Sequence, residues 1–358
     1  MAGQDPTPST ADSLTLATLY LCNVSYAPDI TTIPGLVQKT PALTPGGVWT
    51  TLWGPAQSGD QSNLAFVAAY FPQPGRAPQS ICVTIRGTNI VLGEDIWGII
   101  SQIWQDLDAT SQVPLPWTPP GIGGRIAQGT SDGLTIIRGL TSRGQSLGDY
   151  LRGFFATPSN ANIASVVTGH SLGGCLASVL APWMESIRGA TYKGVIQPIT
   201  FAAPTAGDAD FADYYSALLP TARRFQNTLD IIPLAFENLP KIPDIYSRDG
   251  LDPPNIVLGA ILGWQFLLDR FGATYKQPAR GAQLLPGVFV PRDAHDWFAQ
   301  ALDQHSLVMY RSLLTGEPID EFALPQSTTP LGTQAGLAKR MGNIEDALKR
   351  VAPPHAAE

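Results

Sequence analysis

The chain has little of what several large classes of protein require. Its three cysteines (Cys22, Cys82 and Cys175) are odd in number and show no metal-ligand spacing, so neither a disulfide framework nor a metal site is expected. Only 14% of the 358 residues are charged, and a net charge of −7 without any basic stripe argues against nucleic acid as a partner. The same acidic balance provides no attraction to anionic lipid.

The chain also lacks features of exported and membrane-spanning proteins. Residues 1–8 contain no charged region followed by an apolar one, so the protein is either not exported by that route or lacks its leader. We expect no transmembrane span, because the apolar segment 256–271 is short and contains two glycines.

The chain does have enough apolar sequence for a full core. Apolar residues make up 44% of it, and no Pro/Gly/Ser linker separates the motifs below, so 12–325 are expected to form one domain with insertions. Residues 1–11 are expected to be disordered, and 326–358 to form a helix and a tail. Local patterns predict a helix over 14–26 capped by Asp12 and a β-hairpin over 48–72. Further strands are expected over 195–202 and 223–227.

The most informative motif is Gly-His-Ser-Leu-Gly at 169–173, which matches Gly-x-Ser-x-Gly. In that motif a sharp strand-to-helix turn lifts a serine hydroxyl clear of a sheet. A β-branched run at 163–167 precedes it, and an apolar stretch of helix length follows at 173–187. The flanking glycines let strand and helix pack closely. The pattern therefore indicates Ser171 as a nucleophile, the alternative being a plain glycine-rich turn.

A serine that attacks a carbonyl also needs N–H donors for the oxyanion that forms. The first is expected to be the backbone N–H of Leu172, at the positive end of the new helix. A β-rich strand at 81–88 breaks at Arg86-Gly87-Thr88 and offers Thr88 as the second donor. An ordinary glycine turn is the alternative interpretation of that segment.

The serine also needs a base, and the chain has four histidines. His170 lies inside the turn and is expected to point away from Ser171, and His355 lies in the terminal tail. His295 and His305 both follow the serine and a candidate acid, as the chain order of α/β-hydrolases requires. The residues alone leave this choice open.

Asp230 is the best candidate for the acid that orients the base. A short strand ends at a polar turn just before it, which would place its carboxylate at the carboxyl edge of a sheet. Asp208, Asp210 and Asp244 compete, but they lie in turn-like or Pro-rich stretches where capping or solvation is expected.

Five segments in this order resemble the class 3 (fungal-type) lipase family of the α/β-hydrolase superfamily, across roughly residues 60–320. They are Ile-Arg-Gly-Thr at 85–88, Val-Thr-Gly-His-Ser-Leu-Gly-Gly at 167–174, Thr-Phe-Ala-Ala-Pro-Thr-Ala-Gly-Asp at 200–208, Asn-Thr-Leu-Asp-Ile-Ile-Pro at 227–233 and His-Ser-Leu-Val-Met-Tyr at 305–310. The resemblance implies an α/β fold, with a mostly parallel central sheet flanked by helices and with lid or cap insertions. It favours His305 over His295 and implies no cofactor. Residue by residue, it assigns the nucleophile to Ser171, the acid to Asp230, the base to His305 and the oxyanion hole to Thr88 and Leu172.

The chain departs from the family pattern in places that bear on substrate preference. Ala203-Pro204-Thr205 stands where the family usually has Gly-x-Pro-Arg, and the histidine that often precedes a Gly-Phe pair is missing at 127–130. The segment between acid and base is also long. These departures leave the three triad positions intact.

Two apolar segments bear on the substrate. Residues 89–107 follow Thr88 and place Ile96, Ile100, Ile103 and Leu107 at helical spacing, where the family has a mobile lid. An ordinary packed helix is the alternative. The segment 256–271, within an insertion at 236–290, is either a cap helix lining an acyl pocket or part of the core.

The function expected from these residues is cleavage of fatty-acyl esters by a lipase or carboxylesterase, with lipid as the substrate and as a surface to contact. A feruloyl esterase or a phospholipase on the same scaffold is an alternative. A non-catalytic lipid-binding module is the alternative from another class, and a complete triad argues against it.

Overall fold

The computed structural model describes residues 12–39, 46–87 and 107–318. Several sequence predictions lie outside this range. They concern the N-terminal segment 1–11, Thr88, the candidate lid apart from Leu107, and the terminal helix and tail over 326–358.

A seven-stranded sheet forms the centre of the described fold, in the order β1-β2-β3-β8-β9-β10-β11. β1, β2 and β3 pair antiparallel, whereas β3, β8, β9, β10 and β11 are parallel. Two small hairpins, β4–β5 and β6–β7, lie outside it. The strands are β1 (Val48–Gln57), β2 (Leu64–Phe71), β3 (Ser80–Ile85), β4 (Gln112–Pro114), β5 (Arg125–Ala127), β6 (Thr141–Ser142), β7 (Gln145–Ser146), β8 (Ala164–His170), β9 (Ile196–Phe201), β10 (Arg223–Asn227) and β11 (Ala282–Leu285).

Helices pack on both faces of the sheet. Among the described residues, no helix is sufficiently long and apolar to span a bilayer. The α-helices are α1 (Ser13–Val24), α2 (Ile33–Lys39), α3 (Gln128–Gly139), α4 (Leu147–Ala156), α5 (Leu172–Ile187), α6 (Ala209–Leu218), α7 (Asn255–Phe271), α8 (Trp297–His305) and α9 (Leu307–Thr315). Short 3₁₀ turns lie at Ile30–Thr32, Pro158–Asn160, Ile232–Leu234, Leu239–Lys241, Ser247–Asp249 and Pro291–Asp293.

Alternation along the strands divides the core into two layers. In β3, Ile81, Val83 and Ile85 face the cluster that contains α5, while Cys82 faces the cluster that contains α1 and α9. Successive side chains of a strand point to opposite faces, so a strand buried on both sides is apolar throughout. This three-layer arrangement is the α/β fold that the sequence predicted.

The local predictions are confirmed with small shifts in their ends. α1 starts one residue after Asp12, whose carboxylate accepts a hydrogen bond from the Thr15 N–H at 2.8 Å and caps the helix. The hairpin over 48–72 is present as β1 and β2, with β1 extending to Gln57. The predicted strands over 195–202 and 223–227 are β9 and β10.

All three cysteines are buried free thiols. Burial is the main cause that raises the pKa of Cys22 and of Cys175 to about 12, and it also raises that of Cys82. These thiols therefore stay protonated and act as small apolar side chains in the core.

Glycine lets the start of α5 approach the end of β3. A Cβ built at Gly173 would lie 2.7 Å from the carbonyl carbon of Arg86, and it would also clash with the carbonyl oxygen of Ile85. A Cβ at Gly169 would collide with the backbone of Gly173 itself. The close packing of strand and helix that the sequence predicted for these glycines is confirmed.

Replacing Gly173 by alanine is expected to lower the free energy of unfolding by about 1–3 kcal/mol, because the new methyl group meets rigid backbone. Chemical denaturation followed by circular dichroism measures the change. Gly153→Ala is the matched control: Gly153 is an exposed position of α4, and a Cβ there meets nothing within 4 Å. That variant should gain up to about 1 kcal/mol from helix propensity. Equal effects of the two substitutions would contradict the packing argument.

Candidate active site

Ser171 occupies a strained turn between β8 and α5. Its φ and ψ are 58° and −130°, a left-handed value that is costly for a residue with a side chain. The Ser171 N–H donates to the carbonyl of Phe201 at 3.0 Å, and its carbonyl accepts from the N–H of Gly174 at 2.9 Å. Both neighbouring elements hold the turn, so the strain is maintained. This is the elbow geometry predicted from Gly-x-Ser-x-Gly.

Leu172 is the first residue of α5. The backbone N–H groups of a helix's first turn have no acceptor within the helix, and they lie at the positive end of its dipole. Leu172 therefore has the position expected of an oxyanion donor, and that role stays a prediction. The second predicted donor, Thr88, lies outside the described residues.

Asp230 and His305 meet in the protein interior. His305 Nδ1 lies 2.9 Å from Oδ2 and 3.1 Å from Oδ1 of Asp230, and the two residues are 3% and 1% exposed. An imidazole that faces a carboxylate carries its proton on the facing nitrogen, so neutral His305 holds a lone pair on Nε2. That is the tautomer required of a general base.

The structure separates the two candidate histidines. His295 is exposed and precedes Asp296, whose carboxylate caps α8. His305 is the last residue of α8, and the next helix begins only at Leu307. His305 therefore lies at the junction of two helices. Ser306 has an extended backbone, which ends α8. Its hydroxyl caps α9 by accepting a hydrogen bond from the Met309 N–H.

Two further donors complete the shell around the Asp230 carboxylate. The N–H of Ile232 donates to Oδ1 at 2.9 Å, and the Tyr310 hydroxyl donates to Oδ2 at 2.9 Å. Burial, followed by the negative charge of Asp230, raises the pKa of Tyr310 well above its usual value, so the hydroxyl keeps its proton. Sequence reasoning included Tyr310 only as the aromatic residue of a motif, and it missed Ile232. The Ile232 contact spans two residues, as in an Asx turn, so an aspartate in the turn after a strand was the local signal for it.

The competing acids lie elsewhere. Asp208 caps α6 by accepting from the N–H of Phe211 at 2.8 Å, and it accepts from the N–H of Arg125 at 3.0 Å. Asp210 and Asp244 are exposed. The capping and solvated roles predicted for them are thus confirmed.

His170 links the elbow to the base. Its Nε2 lies 2.8 Å from the carbonyl oxygen of His305, and the two rings lie 4.6 Å apart. On the other side, the Tyr26 hydroxyl lies 3.2 Å from Nδ1. Burial, and secondarily the charge of His305, lower the pKa of His170 well below its usual value, so the ring is neutral. Nε2–H then donates to the carbonyl, and Nδ1 accepts from Tyr26. His170 thus makes its hydrogen bonds with Tyr26 and with the His305 backbone.

Two reactive atoms of the site are still unpaired among the described residues. Ser171 Oγ and His305 Nε2 are both buried, and neither has a hydrogen-bond partner there. Buried polar atoms normally find partners, and active sites are a common exception. Hydrogen bonds join Asp230 to His305 directly, and they join the Ser171 elbow to His305 through His170.

A mostly parallel sheet, a serine at a strand-to-helix elbow and an aspartate–histidine pair at the carboxyl edge define an α/β-hydrolase-type fold. Within that class, residues 82–239 match the family model for Lipase (class 3). The resemblance inferred from the five sequence motifs is therefore confirmed.

Solved and curated lipases are similar to the chain as well. The structure of M37 lipase is 26% identical, with a TM-score of 0.71, over 86% of this chain and 94% of that one. Lipase ZK262.3 of Caenorhabditis elegans is 32% identical over 84 residues. That match spans 24% of each protein, about a quarter of the curated relative's length. Rhizomucor miehei lipase in its propeptide complex is 24% identical, with a TM-score of 0.42, over 62% of each chain.

The neutral state of His170 gives the protein a pH-dependent stability. Above the unfolded-state pKa of about 6.5 both states leave the ring neutral, and stability is at its full value. As pH falls below about 6.5, His170 binds a proton in the unfolded chain, whereas the ring stays neutral in the folded protein. The free energy of unfolding should therefore decrease by up to about 1.4 kcal/mol per pH unit between pH 6.5 and 5.

Urea denaturation at several pH values, compared with His170→Gln, measures this contribution. Glutamine retains an N–H donor for the His305 carbonyl but does not titrate, so the slope should become shallower. An identical slope in the variant would contradict a neutral His170.

Proposed function

We propose that the chain is a serine hydrolase that cleaves carboxylic esters of fatty-acyl lipids through an acyl-enzyme intermediate. The observation that supports this most strongly is the buried hydrogen bond between His305 Nδ1 and Asp230, 2.9 Å long. It leaves the other imidazole nitrogen as a base, at a helix end that His170 bonds to the serine elbow.

In the first half of the reaction, His305 Nε2 takes the Ser171 hydroxyl proton while Oγ attacks the ester carbonyl carbon. The oxyanion that forms accepts hydrogen bonds from the Leu172 N–H and, by resemblance, from the Thr88 N–H. His305 then gives its proton to the leaving alcohol, and the C–O bond breaks to leave an acyl-serine.

In the second half, water replaces the alcohol. His305 takes a proton from the water molecule, whose oxygen attacks the acyl carbon, and then returns a proton to Ser171 Oγ as the carboxylic acid leaves. Asp230 accepts from Nδ1–H throughout, which orients the imidazole and offsets its positive charge.

The similarity to class 3 lipases and to M37 lipase supports a lipid ester as the substrate. We propose triacylglycerol in particular, hydrolysed by one domain over 12–325 with an insertion over 236–290. The cap is the part of that insertion before β11, since Ala282–Leu285 belongs to the central sheet. Feruloyl esters and phospholipids would use the same chemistry. The non-catalytic alternative is disfavoured because Asp230 and His305 stay hydrogen-bonded to each other beside the serine elbow, with Nε2 of His305 left unpaired among the described residues.

His305→Ala is expected to lower kcat for p-nitrophenyl butyrate by at least about a thousandfold, as losses of triad members do, while His295→Ala stays within about twofold of the wild type. Ser171→Ala should abolish turnover and leave the melting temperature nearly unchanged, because the hydroxyl has no described partner to lose. Equal and mild losses in the two histidine variants would remove His305 as the base.

The same purified proteins, assayed on emulsified triolein, methyl ferulate and phosphatidylcholine, distinguish the substrate classes. The proposal expects triolein to give the highest rate. A higher rate on methyl ferulate would instead indicate a feruloyl esterase, and a higher rate on phosphatidylcholine would indicate a phospholipase.

A further inference from the structure

Helix α7 has one apolar face that the protein covers. Val257, Ile261 and Leu268 are buried, and the Trp264 ring lies 6.4 Å from that of Phe236. Their spacing places these residues on one side of the helix, which we call the inner face. The inner face attaches α7 to the segment that follows Asp230.

The opposite side of α7 is also apolar; Leu262 and Phe266 on it are exposed to solvent, and Leu258 is half-buried. Leu258, Leu262 and Phe266 recur every four residues, which places them together; we call them the outer face. Leu262 and Phe266 are each 65% exposed, and Phe271 at the end of the helix is 58% exposed. A surface helix ordinarily has charged or polar residues at such positions. Adjacent exposed leucine and phenylalanine side chains indicate a binding surface.

The charge of this region indicates what binds there. No residue from 255 to 268 is charged, and the insertion 236–290 carries five acidic and five basic side chains. The net charge of −7 is therefore carried by the rest of the chain. An uncharged apolar surface matches an uncharged or zwitterionic lipid interface, because docking desolvates no ion.

The insertion that carries α7 contacts both sides of the candidate active site. The Tyr246 hydroxyl donates to the carbonyl of Leu229 at 2.9 Å, next to Asp230. The Tyr246 ring also lies 5.7 Å from that of Trp297, the first residue of the helix that ends at His305. A lipid surface held by α7 would thus be attached to the elements that position the acid and the base.

We infer that the outer face of α7 docks the protein on a neutral or zwitterionic lipid surface. This inference rests on the proposed function, since it supplies the contact that a hydrolase of aggregated lipid needs. It is distinct from the candidate lid over 89–107, because α7 lies between acid and base in the chain. Docking moves Leu262 and Phe266 from water into the lipid interface.

Partitioning of a Ser171→Ala protein onto phosphatidylcholine vesicles, measured by co-sedimentation, tests the inference without turnover. Adding Leu262→Ser and Phe266→Ser should lower the partition coefficient about tenfold or more, because two largely exposed apolar side chains are lost. The matched control carries Val195→Ser and Ile136→Ser, at apolar positions that are 50% and 42% exposed outside the insertion. It should stay within about twofold of its parent.

Thermal unfolding of the outer-face variant should be unchanged, since neither side chain belongs to the core. Vesicles that contain phosphatidylglycerol should bind no more tightly than pure phosphatidylcholine, as the chain's negative charge predicts. In the active protein, the rate on emulsified triolein should decrease by the same factor as the partition coefficient.

Three outcomes would overturn the inference: unchanged partitioning of the outer-face variant, an equal loss in the control, or tighter binding to the anionic vesicles. Unchanged partitioning together with loss of a dimer on size-exclusion chromatography would assign the outer face to a second copy of the chain. If the proposed hydrolase function is wrong, the His305→Ala rates will show it. Those rates do not affect the vesicle-binding measurement, so the two failures are distinguishable.

Discussion

A carboxylate removed from water needs hydrogen-bond donors for its oxygens, and Asp230 receives them from separate parts of the chain. His305 and Tyr310 approach from the C-terminal helices, and Ile232 donates from the turn that follows the strand. An uncompensated buried carboxylate would cost several kcal/mol, so this set of contacts fixes where the C-terminal helices dock. The same contacts hold the His305 imidazole in the tautomer that leaves Nε2 basic.

The parallel sheet positions the serine relative to this pair. β8 ends just before Ser171, and β10 ends at Asn227, shortly before Asp230. Both functional side chains therefore lie at the carboxyl edge of the parallel strands, with β9 between β8 and β10. Strain at Ser171 is maintained because β9 accepts its N–H and α5 packs against β3 without intervening side chains. His170 then fixes the helix end at His305 to the elbow, so the two halves of the site are joined by a buried hydrogen bond as well as by the sheet.

Much of this fold was predictable because the signals are local. A β-branched run, a Gly-x-Ser-x-Gly turn and a small-residue helix identify the elbow, and a strand ending before a polar turn identifies Asp230. The choice of His305 over His295 was not local: chain order allows both, and only the resemblance to a family separated them. The Tyr310 donor to Asp230 depends on how distant helices dock, whereas the Ile232 donor lies two residues away in the same turn. For α7 the sequence is apolar on all sides, so periodicity could not indicate which face the core covers. The structure answers that question by burying one face and exposing the other.

Covalent labelling with diethyl p-nitrophenyl phosphate tests the central claim most directly, because phosphorylation requires a serine activated by its base. Attack of the serine oxygen on phosphorus releases p-nitrophenolate, and peptide mass spectrometry locates the diethylphosphoryl group. The account predicts a single modification at Ser171, formed much more slowly in His305→Ala. A label on another residue, or an unchanged labelling rate without the imidazole at position 305, would contradict it.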